Sequence, residues 1–175
     1  MTIRTRPVMP TDIPFLFALY MSTRADELAA WGWDATQREA FLQLQFSAQQ
    51  QHYWAYGSHA DQQIVCCDDL PVGQVIQIRE DALQYLSWIA LLPMYRNIGI
   101  GTHLISTVLA EAQQARLPVR LHVQSTNRAI RLYTRLGFVP LGSEGFQILM
   151  EWRPNDDRRV VPMFSQSDIY VKTAS

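Results

Sequence analysis

The stretch YRNIGIGTHL, from Tyr95 to Leu104, places two closely spaced glycines directly before a helix-like apolar pattern. Glycine loses more conformational freedom on folding than any other residue, so a glycine turn marks a tight backbone or a close approach to another group. Apolar side chains then recur at helical spacing up to Ala112 and predict an amphipathic helix. The first N–H groups of a helix lack partners and carry partial positive charge, so a glycine turn there can admit a phosphate oxygen. A tight strand-to-helix turn without a ligand would use the same two glycines.

Two common phosphate-binding loops do not match this stretch. The Walker loop requires GxxxxGK[ST], and no lysine follows Gly101. The dinucleotide fingerprint GxGxxG requires a third glycine, and Leu104 stands at that position after Gly99 and Gly101. Neither a P-loop nor a Rossmann site is therefore predicted.

Composition indicates an ordinary globular protein. The chain has 175 residues, of which 48% are hydrophobic and 18% charged, a size that suits one domain. The formal net charge of −1 gives no electrostatic reason to expect nucleic acid as a partner. The N-terminal stretch shows no signal-peptide pattern, and no apolar run approaches the ~20 residues of a membrane span. We therefore expect a cytoplasmic protein that has no membrane partner.

The metal-ligating residue types do not predict a metal site. Cys66 and Cys67 are adjacent, so a disulfide between them would be strained, and two free thiols fit a reducing compartment. The four histidines have no recognisable ligand spacing. They are His52, His59, His103 and His122.

The pattern along the chain predicts the element order β-α-α-β-β-β-α-β-α-β-β, an α/β domain with a mixed sheet. Residues Thr2–Val8 alternate as a strand, and a second helix is expected to begin near Trp33 with a capping box between Asp34 and Gln37. The runs HYWAYG, QQIVCCD and LPVGQVIQIRED look like strands. The most apolar run, ALQYLSWIALLP, is expected at the centre of the sheet.

A second motif extends the pattern of the glycine turn. The run NRAIRLYTRLGF predicts a helix with Asn127 as its N-cap and Gly137 in the left-handed position after its end. The strand WIALLP followed by Arg96–Gly101 resembles the pyrophosphate loop Arg/Gln-x-x-Gly-x-Gly/Ala of the GCN5-related N-acetyltransferases. The run from Asn127 to Phe138 resembles the second motif of that family. The resemblance covers roughly residues 72–153. Asn97 replaces a glycine common in the family, and asparagine tolerates a left-handed backbone.

The resemblance implies a fold and a cofactor. The fold would be a mostly antiparallel sheet of about seven strands, with helices on both faces and a splayed central pair of parallel strands. Acetyl-CoA would lie between WIALLP and VRLHVQ, and its pantetheine and thioester would pair with the backbone of Ile89, Ala90 and Leu91, while Asn127 would bind the pantetheine arm. Backbone N–H groups would hold the pyrophosphate at Arg96, Asn97, Ile98, Gly99, Ile100, Gly101 and Thr102.

The resemblance also implies the chemistry, which is direct attack of an amine on the acetyl thioester. Tyr133 would be the general acid that protonates the departing CoA thiolate. A core tyrosine on an amphipathic helix would give the same sequence pattern. A base must also deprotonate the amine, and Glu80, Asp81 and Glu151 are candidates that no motif supports. A non-catalytic acyl-CoA-binding module on the same fold is the alternative function.

The acceptor site of the family is built mainly from the first two helices and their connection. We therefore expect Trp31, Trp33, Gln45 and Gln49 to line a pocket for a small-molecule or peptide amine. The alternative is that both tryptophans pack under the sheet and the glutamines face water. Residues 1–153 would form the acetyltransferase domain, and 154–175 a non-catalytic extension that is either loose or a dimer contact. The protein would be a monomer or a homodimer.

Overall fold

The computed structural model describes residues 1–29 and 32–155. Within them the chain forms seven strands and four α-helices in the predicted order. The strands are β1 Ile3–Pro7, β2 Ala60–Cys67, β3 Leu70–Arg79, β4 Gln84–Leu91, β5 Val119–Gln124, β6 Val139–Glu144 and β7 Gln147–Trp152. The helices are α1 Ile13–Ala29, α2 Ala35–Ala55, α3 Ile100–Ala115 and α4 Ile130–Arg135.

All seven strands belong to one sheet of order β1-β2-β3-β4-β5-β7-β6, with β4 in the middle as predicted. Every neighbouring pair is antiparallel except β4 and β5. Those two parallel strands pair only at Gln84 with Val119 and Tyr85 with Arg120, and they have no ladder pairs beyond that point. The predicted mixed sheet with a splayed central pair is therefore confirmed.

Helices cover both faces of the sheet. Successive side chains of β3 and β4 point to opposite sides, so each face presents apolar side chains against which helices pack. On one face, α3 and α4 bury Ile105 and Tyr133 against strand residues such as Ile89. On the other face, α1 and α2 bury Leu16 and Phe46 in a second core cluster that also contains Trp88. This second cluster draws its strand residues from β2, β3 and β4. The two helical layers thus leave the central strand buried from both sides.

Local sequence determines several element boundaries. The Asp34 side chain accepts a hydrogen bond from the Gln37 backbone N–H, and Gln37 Oε1 accepts one from the Asp34 backbone N–H, so the predicted capping box starts α2. Asp68 and Asp69 both have positive φ in the turn between β2 and β3. Gly137 has φ 95° directly after α4 and its Leu136 C-cap, as predicted for a left-handed helix end.

One predicted strand is wrong. The run HYWAYG, residues 52–57, lies mostly in the last turn of α2 rather than in a strand. The buried positions of α2 are Leu42, Phe46, Gln50 and Tyr53, which continue the helical spacing through this run. Aromatic residues favour strands locally, but a helix already started and packed on one face extends over them. No described helix is long and apolar enough to cross a membrane.

Candidate active site

The open end of the β4–β5 pair leaves one edge of β4 without a partner strand. Leu92 N–H donates to the Val72 carbonyl of β3 at 2.9 Å, so the peptide groups of Leu92 face β3. Peptide groups alternate in direction along a strand, so those of Ala90 also face β3, whereas those of Ile89 and Leu91 face the gap. The stretch predicted to pair with a thioester therefore turns the backbone groups of Ile89 and the N–H of Leu91 toward the gap.

The glycine turn follows β4 at the open end of this gap. After a short 3-10 turn at Pro93–Tyr95, Asn97 has φ 61° and Gly99 has φ 94°. Asn97 thus has a left-handed backbone, the conformation that asparagine was expected to tolerate at this position. Gly99 is the N-cap of α3, and no side chain caps the helix there. The next N–H groups, from Ile100 to Thr102, lie in the first helical turn and lack intrahelical partners.

Arg96 ties the glycine turn to the end of β4. Its Nε donates to the Leu91 carbonyl at 2.8 Å, which satisfies an oxygen that β5 does not reach. Its Nη2 is buried and has no hydrogen-bond partner in the structure. The strand end and the predicted pyrophosphate loop are therefore held in one arrangement by this side chain.

The first turn of α3 packs beside α4, which brings the two sequence motifs together. Arg135 Nη2 lies 3.4 Å from Thr102 Oγ1, within hydrogen-bonding distance. A Cβ built on Gly101 would lie 3.7 Å from Leu132 Cδ2, an ordinary van der Waals contact. The two motifs, about 30 residues apart in sequence, thus meet on one side of the sheet.

Asn127 lies in the turn between β5 and α4 and is 7% exposed. Its Oδ1 accepts a hydrogen bond from the Ala129 backbone N–H at 2.8 Å, so it opens the turn that leads into the helix, which itself begins three residues later at Ile130. Its Nδ2 is buried and lacks a hydrogen-bond partner within residues 1–29 and 32–155. A buried amide donor without a partner costs free energy unless a ligand or water fills the position.

Tyr133 projects from α4 into the core and is 1% exposed. Its ring packs edge-on against Phe138 with centroids 5.7 Å apart. Burial raises the pKa of the Tyr133 phenol above its usual value, because an ionised phenolate would lose its hydration. The hydroxyl therefore keeps its proton throughout the physiological pH range and is available as a proton donor.

The described acceptor candidates, Trp33, Gln45 and Gln49, lie on the α1–α2 side of the sheet. Trp33 is 37% exposed and packs edge-on against Phe41, with ring centroids 5.2 Å apart, so it does not lie under the sheet. Gln45 accepts a hydrogen bond from the Tyr20 hydroxyl at 3.3 Å, which joins α2 to α1. Gln49 is half-buried one turn further along α2. Trp31 lies outside the described residues, as does the tail from residue 156 onward.

The three acidic candidates for the base lie far from the open gap. Glu80 and Asp81 belong to the hairpin that precedes β4. Seven residue steps of extended strand, roughly 23 Å, separate Gln84 from Leu91. Glu151 is paired in register with Arg120, at the end where β4 and β5 are hydrogen-bonded to each other, which we call the closed end. We therefore assign the base to none of them.

Glu151 has a different role from the one its acidity suggested. It is 1% exposed, and its two oxygens accept hydrogen bonds from Arg120 Nε at 2.7 Å and from Arg153 Nε at 2.5 Å. A carboxylate held by two guanidinium groups could take a proton from an amine only by breaking these ion pairs. The geometry is that of a structural ion triad linking β5 to the end of β7.

Sequence reasoning overlooked Gly73 on β3. A Cβ built there would lie 2.4 Å from the Ala90 carbonyl oxygen and 2.6 Å from Leu91 Cδ2, too close for any side chain without a shift of β4. A lone glycine inside a strand pattern is a signal for such a close backbone approach. The end of β4 is therefore held closely from the β3 side, opposite the open gap.

Comparison with known proteins agrees with this architecture. The model of the acetyltransferase (GNAT) domain matches residues 49–140, just over half of the chain and including both motifs. No curated protein matches the chain significantly. Among the described residues, no group of three or more His, Cys, Asp or Glu side chains is arranged to hold a metal ion.

Solved structures share the fold at low sequence identity. PaiA N-acetyltransferase from Thermoplasma acidophilum, solved in complex with coenzyme A, is 18% identical with a TM-score of 0.68, over 87% of this chain and 99% of its own. A Corynebacterium glutamicum protein described as histone acetyltransferase HPA2 and related acetyltransferase is 24% identical with a TM-score of 0.61, over 91% and 100%.

Arabidopsis thaliana NAA60, solved in complex with a bisubstrate analogue, is 20% identical with a TM-score of 0.60, over 89% of this chain and 100% of its own. At these identities the structures support the fold alone, while the domain model covers the glycine turn and the helix that carries Tyr133. The sheet with its splayed parallel pair, the uncapped glycine turn and the matching domain model lead to one conclusion: the chain belongs to the GNAT acetyltransferase family.

Proposed function

We propose that this protein transfers an acetyl group from acetyl-CoA to a primary amine by direct attack. The observation that carries the proposal is the open edge of β4 at Ile89–Leu91, which occurs together with an uncapped start of α3 and a buried Asn127 amide that has no partner in the described part of the chain. These are the features that an acyl-CoA needs: an extended backbone edge, an anion-binding helix end and a buried donor. Tyr133, a buried phenol on the adjacent helix, supports an enzyme over a binding module.

The residues of the gap suit acetyl-CoA part by part. N–H groups of the segment from Arg96 to Thr102 would hold the diphosphate, because Gly99 and Asn97 turn the backbone and no side chain caps α3. The Asn127 Nδ2 donor would bind an amide oxygen of the pantetheine arm, and the peptide groups of Ile89 and Leu91 would pair with its extended chain. The bound cosubstrate supplies an activated acyl group as a thioester.

The chain's own groups can then promote transfer. The Leu91 N–H faces the gap and is suited to stabilise negative charge that develops on the acyl oxygen. Tyr133 keeps its proton and can donate it toward the leaving sulfur. A phenol of pKa about 10 or higher gives a proton to a thiolate of pKa about 8.5 only uphill, by at least ~1.5 pKa units. The proton must therefore be replaced from the attacking amine as the new N–C bond forms.

The acceptor is proposed to approach from the α1–α2 side. Trp31, Trp33, Gln45 and Gln49 would line its pocket, and the exposed ring of Trp33 offers an apolar contact there. The acceptor class is a small-molecule or peptide amine. NAA60, which shares the fold, was solved in complex with a bisubstrate analogue, and this supports an acceptor site on the fold. Replacing both tryptophans by alanine should raise the acceptor KM in a folded protein. An unchanged KM would exclude these residues from the pocket.

Two assays test the proposal. Acetyl-CoA at 100 times its Kd should raise the free energy of unfolding by about 2.7 kcal/mol, which a thermal shift measures. Thiol release from acetyl-CoA with a panel of primary amines should then identify an acceptor. Binding without turnover on any amine would favour the non-catalytic acyl-CoA-binding module. Absence of any thermal shift with well-folded protein would refute acyl-CoA binding and with it both functions.

A further inference from the structure

We propose that Gly73 is a positioning residue for catalysis, because its missing side chain sets the orientation of the Ala90–Leu91 peptide group. This inference rests on the proposed function, in which the Leu91 N–H stabilises the acyl oxygen. Gly73 lies directly opposite Leu91 in the β3–β4 register. A Cβ at this position would lie 2.4 Å from the Ala90 carbonyl oxygen and 3.3 Å from Leu91 Cα, both backbone atoms.

The contact reaches the reacting side of β4 through one rigid group. The carbonyl of Ala90 and the N–H of Leu91 belong to the same planar trans peptide and point in opposite directions. The oxygen faces β3 and Gly73, so the N–H faces the gap between β4 and β5. Any atom that pushes the oxygen away from β3 therefore turns or shifts the N–H on the other side of the strand.

The strand end has little freedom to absorb such a push. Arg96 Nε holds the next carbonyl, that of Leu91, at 2.8 Å. The Leu92 N–H is held by the Val72 carbonyl at 2.9 Å. The Ala90–Leu91 peptide is thus fixed from the β3 side by a close approach and from the glycine turn by a guanidinium. A side chain at residue 73 must displace the peptide or break one of these bonds.

Gly142 provides a matched control for the same substitution. It lies in β6, an antiparallel strand like β3, and a Cβ built on it meets nothing within 4 Å. Gly73 and Gly142 both lack a positive φ, so alanine is not strained by backbone conformation at either position. Gly73→Ala and Gly142→Ala therefore differ in the contact with β4 and share the entropic effect of replacing glycine.

The test compares kcat with acetyl-CoA affinity in both variants. Gly73→Ala should lower kcat at least about tenfold, since loss of one oxyanion donor costs about 100- to 1000-fold and displacement is a partial loss. Its Kd for acetyl-CoA should rise by a smaller factor than its kcat falls, because the diphosphate contacts at the glycine turn and the Asn127 contact lie away from the Leu91 peptide. Gly142→Ala should match the wild type in both. A folded Gly73→Ala variant with wild-type kcat, or one that loses affinity as much as rate, overturns the proposal.

A second pair of variants covers poor folding of Gly73→Ala. Part of the crowding involves the flexible Leu91 side chain, 2.6 Å from the added Cβ, and Leu91→Ala removes it while the backbone contact remains. The double variant Gly73→Ala/Leu91→Ala should therefore still show at least about a tenfold lower kcat than Leu91→Ala alone. Equal kcat in the two would show that only side-chain packing is involved and would overturn the proposal.

Amide hydrogen exchange separates this proposal from the proposed function. In Gly73→Ala or the double variant, exchange of the Leu92 amide should accelerate, while the Gln84 amide, bonded to the Pro118 carbonyl at the other end of β4, should not change. Wild-type protein that binds no acetyl-CoA would refute the function but leave this displacement measurable. Unchanged exchange at Leu92 would refute the positioning role whatever the activity.

Discussion

The two ends of the β4–β5 pair are built for opposite purposes. At the closed end, Tyr85 and Arg120 are paired in register, and Arg120 also binds the buried carboxylate of Glu151. At the open end, Leu91 has no partner on β5, and its carbonyl is held by a side chain instead. In the turn after β5, the buried Nδ2 of Asn127 has no hydrogen-bond partner among the described residues.

The difference shows how a fold can create a binding gap in the middle of a sheet. Edge strands are normally where backbone groups stay unpaired, and a central strand has both edges filled. Here β4 and β5 pair over only two residue pairs, and a buried ion triad holds β5 to β7 at that end. Divergence beyond that point exposes the edge of β4 inside the molecule. The hydrogen bonds and ion pairs at the end near Tyr85 and Arg120 hold the strands in place, and the backbone groups of β4 at the other end are left without a partner strand. Substitutions at the closed end should therefore affect stability, and those at the open end should affect function.

The largest effect is expected from Glu151→Gln at the closed end. The carboxylate is 1% exposed and the two arginine side chains are 26% and 32% exposed, so its removal leaves two half-buried cations with a neutral partner. Breaking a buried ion pair on one side costs about 3–5 kcal/mol, and partial exposure of the arginines favours the lower end, about 3 kcal/mol. Urea unfolding monitored by fluorescence would measure this loss in free energy of unfolding.

Glu111→Gln is the matched control for that substitution. Glu111 is 50% exposed and pairs with Arg79, itself 51% exposed, at 3.1 Å on the surface. An exposed pair contributes about 0–1 kcal/mol, so this variant should unfold almost like the wild type. If Glu151→Gln is no more destabilising than Glu111→Gln, the triad does not hold the closed end together.

Tyr133→Phe should separate function from stability at the open end. Loss of a general acid typically lowers the rate by about 100-fold or more, equivalent to about 2.7 kcal/mol. Stability should stay about the same, because phenylalanine keeps the packing on Phe138. Kinetics and urea unfolding on the same sample would decide. Full activity in this variant would leave Tyr133 as a core residue only.

Asn127 allows its two roles to be measured apart. Asn127→Asp keeps an oxygen to accept from the Ala129 N–H, but an ionised carboxylate cannot replace the Nδ2 donor. Asn127→Ala loses both and should also destabilise the fold by about 1 kcal/mol. Both variants should bind acetyl-CoA about tenfold more weakly, or about 1.4 kcal/mol, by calorimetry. Normal affinity in a folded Asn127→Ala variant would show that the amide serves the turn alone.

The closed end was harder to foresee from sequence than the open end. The glycine turn is a local pattern, so its geometry followed from spacing and backbone preference, down to the left-handed conformation of Asn97. The prediction of Asn127 as a helix N-cap is wrong, because Ala129 is the N-cap of α4 and Asn127 caps the turn before it. The Arg120–Glu151 contact joins residues 31 apart in sequence and depends on strand register, which no local pattern fixes. Glu151 therefore resembled a possible base until its two guanidinium partners were seen.

Two further differences have the same origin. Gly73 was visible only as a glycine inside a strand pattern, and the carbonyl it accommodates belongs to another strand. The run HYWAYG has the composition of a strand, but packing of Tyr53 in the α1–α2 core extends the preceding helix through it. In both places tertiary contacts, rather than the preferences of the local sequence, determine the structure.

The smallest effect is expected in the pH dependence of kcat/KM, which tests the assignment of Tyr133 as the general acid. Burial raises the pKa of Tyr133, so its folded value lies above the unfolded value of 10 and the phenol stays protonated up to that pH. With an acceptor amine of pKa near 8, kcat/KM should rise with pH as the amine loses its proton and then remain flat to about pH 10.

A falling limb between pH 8 and 10 would require an acid of ordinary or lowered pKa and would contradict the assignment of Tyr133. The same shift has a consequence for stability. The folded state retains the Tyr133 proton more strongly than the unfolded state, so the contribution to stability is complete below pH 10 and is lost as the pH rises beyond it. Tyr53, whose pKa burial also raises, should act in the same direction on the other face of the sheet. Tyr133→Phe should therefore reduce the alkaline loss of stability without abolishing it, which thermal unfolding between pH 8 and 11 would measure.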